Sequence, residues 1–239
     1  MSWIEGKSAV VTGSTRGVGL AIARALLDSG GRVFLCARDT GDVARTVAAL
    51  GSEYGDRVHG ASCNVRSYDS VRALFGDVRA AFGALDILVN NAGVGSHGNV
   101  EQTPVEDWEA TIETNLSGVF HCCHEALPLM KGRGGYIINI GSLAGKHASA
   151  GSAAYCASKF GLVGFSEALM QEVRHEHIRV SLVMPGSVNT SFGRGGGKDP
   201  AKTWKLAPED VAAVVVNLLE MNPRALPSQV ELRPSEPKK

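Results

Sequence analysis

The chain has 239 residues, 44% of them hydrophobic and 20% charged, which suits one α/β domain with a sizeable core. Its 24 lysines and arginines balance 24 aspartates and glutamates, leaving no electrostatic reason to expect nucleic acid or an anionic membrane as a partner. Five scattered cysteines make no disulfide framework, the N-terminus lacks the apolar core of a signal peptide, and no apolar run could span a bilayer, so a cytoplasmic protein is expected.

Apolar runs bounded by turn residues alternate with helical patterns along the whole chain. Strands are expected over residues 8–11, 32–36, 57–62, 86–89, 136–140, 180–183 and 229–232. Helices are expected over 21–27, 42–50, 70–82, 105–130, 152–175 and 209–220. Gly30 and Gly31 end the first helix, and Pro208 opens the last one. Repeated βα units imply one doubly wound domain over residues 1–239, with about seven parallel strands and helices on both faces. The low-complexity patch at 193–200 is glycine-rich, and a Pro/Lys tail at 234–239 is expected to fray.

The first strand runs into Gly13, Ser14, Thr15, Arg16, Gly17, Val18 and Gly19, and an alanine-rich helix follows. In that setting the glycines let backbone approach a pyrophosphate, and the helix N-terminus offers free N–H groups to it. The spacing is T-G-x-x-x-G-x-G, not G-x-G-x-x-G. The end of the second strand should reach the adenine ribose. There Ala37 stands where an acid would hold the 2′-hydroxyl of NAD, and Arg38 follows, able to fork onto the 2′-phosphate of NADP. Arg16 is a second candidate for that phosphate, while Asp39 keeps an NAD reading open. NADP, with NADPH preferred over NADH, is the expectation.

Tyr155 and Lys159 form a Y-x-x-x-K pair thirteen residues after Ser142. Four residues apart on a helix, the pair shares one face. A phenol titrates near ~10, so a neighbouring ammonium is needed to stabilise the phenolate at neutral pH. Ser142, just beyond the strand at 136–140, can donate to a carbonyl oxygen. His121-Cys122-Cys123-His124 carries metal-ligand residue types, but adjacent cysteines on a helix point about 100° apart, and no metal site is expected.

With these pieces in order, the chain resembles the short-chain dehydrogenase/reductase family in its compact form, a Rossmann-type fold. The resemblance rests on residues 12–19, Asn64-Val65, Asn90-Asn91-Ala92-Gly93, Asn115, Ser142, Tyr155, Lys159 and residues 185–190. It implies that Tyr155 exchanges the proton, Ser142 orients the carbonyl, and Lys159 binds the nicotinamide ribose and lowers the tyrosine pKa. It also implies that Asn115 holds a water of the proton relay. Asn64 and Val65 would lie at the adenine, Asn91, Ala92 and Gly93 along the adenine and ribose, and Pro185, Gly186, Val188 and Thr190 over the carboxamide. The family usually has Asp where this chain has Asn64. The implied activity is NADP(H)-dependent reduction of a ketone or aldehyde, or oxidation of the alcohol. A 3-oxoacyl-carrier-protein reductase is one alternative, and a non-catalytic NADP-sensing protein is a rival of another class.

The family's mobile substrate loop corresponds to residues 191–207, which are short and glycine-rich here; Phe192 and Trp204 either cap an apolar substrate or pack the loop base. The C-terminal sequence departs from the ending typical of many members. A homodimer through the helices at 105–130 and 152–175 is therefore more secure than a homotetramer.

Overall fold

In the computed structural model, which describes residues 2–95, 97–192 and 203–237, seven short strands form one all-parallel sheet. The strands are β1 (Ser8–Thr12), β2 (Arg32–Ala37), β3 (Val58–Ser62), β4 (Ile87–Asn90), β5 (Gly135–Ile140), β6 (Ile178–Pro185) and β7 (Gln229–Leu232). Their order is β3-β2-β1-β4-β5-β6-β7. Val10 of β1 lies beside Phe34 on one side and Leu88 on the other, so the strand order reverses at β1. The crevice at such a reversal, outside the carboxyl ends of the strands, is where this architecture binds ligands.

Alternation along each strand builds two cores. Val10 and Leu88 point into a core shared with α3 (Tyr68–Phe82), α5 (Gly118–Met130) and α6 (Ala153–Val173). Their neighbours Ala9, Val11, Ile87 and Val89 point into the opposite core, shared with α1 (Gly17–Asp28), α2 (Thr40–Tyr54) and α7 (Pro208–Glu220). A strand covered on both faces is apolar at every position, which explains the unbroken runs in the sequence. Each fully buried Leu or Ile contributes roughly 2 kcal/mol, and Ile22, Leu26, Leu27, Leu35 and Leu88 are all completely buried.

The expected helix at 105–130 is not continuous. α4 (Val105–Ile112) passes into a π-helical turn, Glu113–Ser117, before α5 begins. The wide turn carries Asn115, whose side chain is fully buried. A π turn adds one residue per turn and redirects the side chains on it. Helical periodicity in the sequence does not reveal such an insertion. Gly118 follows because a Cβ there would lie 2.8 Å from Val65 Cγ2.

The patch at 193–200 lies outside the described residues, as do residues 201–202 of the expected substrate loop and the last two residues of the tail. Among the described residues, no helix is long and apolar enough to cross a membrane.

Candidate active site

The glycine turn is built by close approach. Gly13 and Gly17 adopt φ values of +64° and +56°, which L side chains rarely tolerate. A Cβ on Gly19 would stand 2.3 Å from the Gly13 carbonyl oxygen, and one on Gly13 would stand 2.9 Å from Ala92 Cα. The turn is thus pressed onto the end of β4. Thr12 ties the two together: its hydroxyl accepts from the Asn91 and Ala92 N–H groups, each at 2.9 Å. Arg16 is the N-cap of α1 but supplies no side-chain cap, and the first turn carries no acid. The leading N–H groups of the helix are therefore available to an anion.

Not every residue of the turn faces outward. Ser14 is fully buried; its hydroxyl accepts from the Cys36 N–H at 3.0 Å and fastens the turn to the end of β2. Val18 packs on the α1 core, whereas Thr15 is partly buried and Arg16 is exposed. The Asn91 side-chain amide donates to the carbonyls of Thr12 and Gly13 at 2.9 and 3.1 Å. Ser14 and Asn91 thus shape the turn from behind.

At the end of β2, Arg38 and Asp39 are both exposed. Asp39 is the N-cap of α2, its carboxylate accepting from the Asp42 N–H at 2.7 Å. Neither Arg16 nor Arg38 has an ion-pair partner among the described residues. Among the described residues both guanidinium groups are uncommitted while the Asp39 carboxylate is engaged in capping, which favours a phosphate over a ribose hydroxyl as their ligand. Asn64, exposed beyond β3, accepts from the Arg66 N–H at 3.3 Å; Val65 is buried beneath Gly118.

Across the crevice, α6 brings Tyr155 and Lys159 onto one face. The Lys159 ammonium is buried, donates to the Ile140 carbonyl at 2.9 Å, and stands 5.8 Å from the centre of the Tyr155 ring. Burial lowers its pKa to about 8. Burial also raises the Tyr155 phenol above its ordinary value, while the Ser142 hydroxyl draws it back down. The lowered phenol pKa expected from the sequence is therefore absent from the chain taken alone: desolvation outweighs the hydrogen bond. Ser142 Oγ accepts from the Ala144 N–H at 3.1 Å, which leaves its proton free to donate.

Asn115 meets α6 from the π turn. Its Oδ1 accepts from the Val94 N–H at 2.8 Å, and its Nδ2 donates to the Val94 carbonyl at 2.9 Å and the Ser158 hydroxyl at 3.1 Å. The side chain clamps the loop after β4, and so is committed to that loop. Ser158, between Tyr155 and Lys159, was not singled out from the sequence. It also donates to the Tyr155 carbonyl at 2.8 Å, a local helix contact with no sequence signature.

The segment after β6 spans the two halves of the site. Gly186 N–H donates to Leu232 O at 2.8 Å, and a Cβ on Gly186 would stand 3.1 Å from Leu143. Pro185 ends β6, Val188 packs on the α1 core, and Thr190 lies against Gly17, its methyl 3.4 Å from a hypothetical Cβ there. The Thr190 hydroxyl accepts from the Phe192 N–H at 3.2 Å, and the Phe192 ring centre is 6.0 Å from that of Tyr155. Gly93 also borders Asn115 and Phe192. Trp204 is partly buried with the Lys205 ammonium over its ring, a packing contact at the loop base.

These features fit a dinucleotide. The glycines leave a cradle that side chains would fill, α1 presents uncapped N–H groups, Arg16 and Arg38 are unpaired among the described residues, and the Ser142–Tyr155–Lys159 cluster stands across the crevice. His121 and His124 do not converge with Cys122 and Cys123. The cysteines are buried, while His121 Nδ1 lies 3.0 Å from Val65 O and His124 Nδ1 3.2 Å from Tyr68 Oη.

Fold and site together define a doubly wound α/β protein built around a glycine-rich turn and a Ser–Tyr–Lys cluster. The chain belongs to the short chain dehydrogenase family, whose model matches residues 7–200. It is 39% identical over 196 residues to 3-oxoacyl-acyl-carrier-protein reductase FabG of Escherichia coli (strain K12), covering 82% of this chain and 79% of that protein. Among solved structures it resembles an alcohol dehydrogenase from Thermococcus sibiricus complexed with 5-hydroxy-NADP, with a TM-score of 0.91 and 29% identity over 98% of this chain and 100% of that one. It also resembles a variant of actinorhodin polyketide ketoreductase with NADPH, with a TM-score of 0.86 and 34% identity over 98% of this chain and 97% of that one.

Proposed function

We propose that the protein is an NADP(H)-dependent oxidoreductase that reduces a ketone or aldehyde carbonyl, or oxidises the corresponding alcohol. The observation that carries this reading is the buried Lys159 ammonium beside the Tyr155 ring, with the Ser142 hydroxyl acting on the same phenol. The glycine turn, with Gly13, Thr15, Gly17 and Gly19 around the N-terminus of α1, would hold the pyrophosphate. Arg16 and Arg38 would take the 2′-phosphate; Asn64 and Val65 would border the adenine. Ala92 and Gly93 would line the ribose, and residues 185–190 the carboxamide. When bound, the reduced dinucleotide supplies the hydride that forms the new C–H bond.

The chain's own residues do the rest. The Ser142 hydroxyl donates to the carbonyl oxygen and fixes its position. Tyr155 gives its proton to that oxygen as the C=O bond becomes C–O–H. The Lys159 ammonium stabilises the phenolate left behind, which regains a proton from solvent. Asn115 keeps the loop after β4 in place against α6. Oxidation of the alcohol runs the same transfers backwards.

A 3-oxoacyl group on a carrier protein is the second substrate reading, supported by similarity to the E. coli reductase. Lys131 and Arg133 would offer such a carrier a basic docking edge, but Lys131 pairs with Glu176 at 3.7 Å, which weakens it. A protein that only senses NADP is disfavoured because Ser142, Tyr155, Lys159 and Asn115 are all present. We also infer a homodimer through α5 and α6, where Phe120 and Phe160 are half exposed, and a cytoplasmic location consistent with five free cysteines. Fluorescence titration with NADPH and NADH, followed by a carbonyl panel read at the reduced-nicotinamide absorbance, tests the reading. Tight NADPH binding with turnover supports it; binding without turnover of free or carrier-bound carbonyls would favour the sensor.

A further inference from the structure

The glycine-rich loop after β4 is fastened at both ends. Asn115 grips the Val94 N–H and carbonyl at 2.8 and 2.9 Å. At the other end the Gly98 N–H donates to the Gly151 carbonyl at 2.9 Å, and His97 Nδ1 lies 3.3 Å from the Ser152 hydroxyl. On either side of Val94, Gly93 and Gly95 present bare backbone, and the Phe192 ring lies on it. A Cβ on Gly95 would stand 3.0 Å from Phe192 Cε1, and one on Gly93 3.8 Å from Cε2. The ring also meets Tyr155, at 6.0 Å between centres and a tilt of 56°. Yet the residue keeps 49% of its surface exposed, an open apolar face beside the proton donor.

We propose that Phe192 is the specificity-determining wall of the carbonyl pocket, and that Gly95 sets how far the wall stands back. This rests on the carbonyl-reductase reading of the same site. The wall is made of an aromatic ring and glycine backbone, and among the described residues the ammonium beside Tyr155, that of Lys159, is buried and turned onto Ile140 O. Such a wall gains free energy from an apolar group and offers no partner to a carboxylate or phosphate on the substrate. The favoured substrates are therefore carbonyls with an apolar, flat substituent next to the reacting carbon.

A matched pair of α-diketones reads this out: 1-phenylpropane-1,2-dione and butane-2,3-dione differ by phenyl for methyl. In Phe192→Ala, the ratio of kcat/KM for the phenyl over the methyl compound should fall by about tenfold or more, the range a hydrophobic pocket discriminates. NADPH affinity should stay as in the wild type. Gly95→Ala pushes on the ring and should also change the ratio, but not when Phe192 is already alanine; that non-additivity is the signature of a direct contact. An unchanged ratio, an equal fall for both diketones, or additive effects of the two substitutions would overturn the proposal. A wild type that turns over neither diketone would count against the reductase reading. Calorimetric affinities of the pair for the NADP-loaded protein and its Phe192→Ala variant would then decide the wall by the same ratio.

Discussion

Lys159 and Tyr155 lie on one face of α6, with the ammonium 5.8 Å from the phenol ring centre and held in place by the Ile140 carbonyl. That carbonyl ends β5 two residues before Ser142, so one strand end positions both the lysine and the serine around the tyrosine. Tyr155→Phe removes the proton and leaves the packing. Turnover should fall by about 10³-fold, within the range for a lost general acid, while the NADPH dissociation constant measured by fluorescence changes less than about twofold.

The pH dependence follows from Lys159. Its ammonium loses its proton near pH 8, well below an ordinary lysine. Support for the Tyr155 phenolate should therefore fade as pH rises through about 8, and kcat/KM for carbonyl reduction should decline over that interval. Stability has the opposite sign. From about pH 8 up to the ordinary lysine value, the unfolded chain binds more protons than the folded one, so the stability contribution of this group rises with pH. Urea titrations of wild type and Lys159→Met at several pH values check this. The wild type should gain stability relative to the variant across the window; parallel curves would show that Lys159 is not buried as a charge.

The adenine end gives a separate prediction. Arg38→Ala should weaken NADPH binding by about tenfold, the worth of a charge-assisted hydrogen bond, and leave NADH affinity unchanged. Arg16→Ala should act in the same direction. Asp39→Ala should leave the NADPH-to-NADH ratio alone and destabilise the fold by about 1 kcal/mol through loss of the α2 cap. Measuring both dissociation constants and a urea midpoint for each variant separates the roles. A gain in NADPH preference on removing Asp39 would mean that its carboxylate competes at the ribose.

Much of this was legible in the sequence because the information is local. Strands buried on both faces show as unbroken apolar runs, and Gly13, Gly17 and Gly19 announce a turn that only glycine can make. The Y-x-x-x-K spacing works because four residues make one helical turn. Other features depend on partners distant in the chain. Asp39 looks like a ribose ligand until α2 is seen to start one residue later, although an Asp before a helical pattern is itself a capping signal. Ser14 and Asn91 belong to the right motifs but point inward. The π turn at Asn115 leaves no mark on the periodicity, and the role of Phe192 depends on Gly95, which reaches it only in the folded chain.

Asn115 carries the last prediction. It is fully buried and makes three hydrogen bonds, two of them to the backbone of Val94. Asn115→Ala would leave the Val94 N–H and carbonyl without partners. The cost should be about 1–3 kcal/mol, read from the urea midpoint, since an orphaned buried group costs about 1–3 kcal/mol and the Val94 groups are only partly buried. The loop that bears Gly93 and Gly95 would also lose its anchor, so KM for the carbonyl should rise along with the loss of stability. Asn115→Asp separates clamp from chemistry. It keeps the acceptor for the Val94 N–H but turns the donor into a second acceptor facing the Val94 carbonyl. A clamp predicts lost stability and raised KM in both variants, worse for Asp. A residue needed only for proton transfer predicts a fall in kcat with the urea midpoint unmoved, and that result would remove Asn115 from the structural role assigned to it.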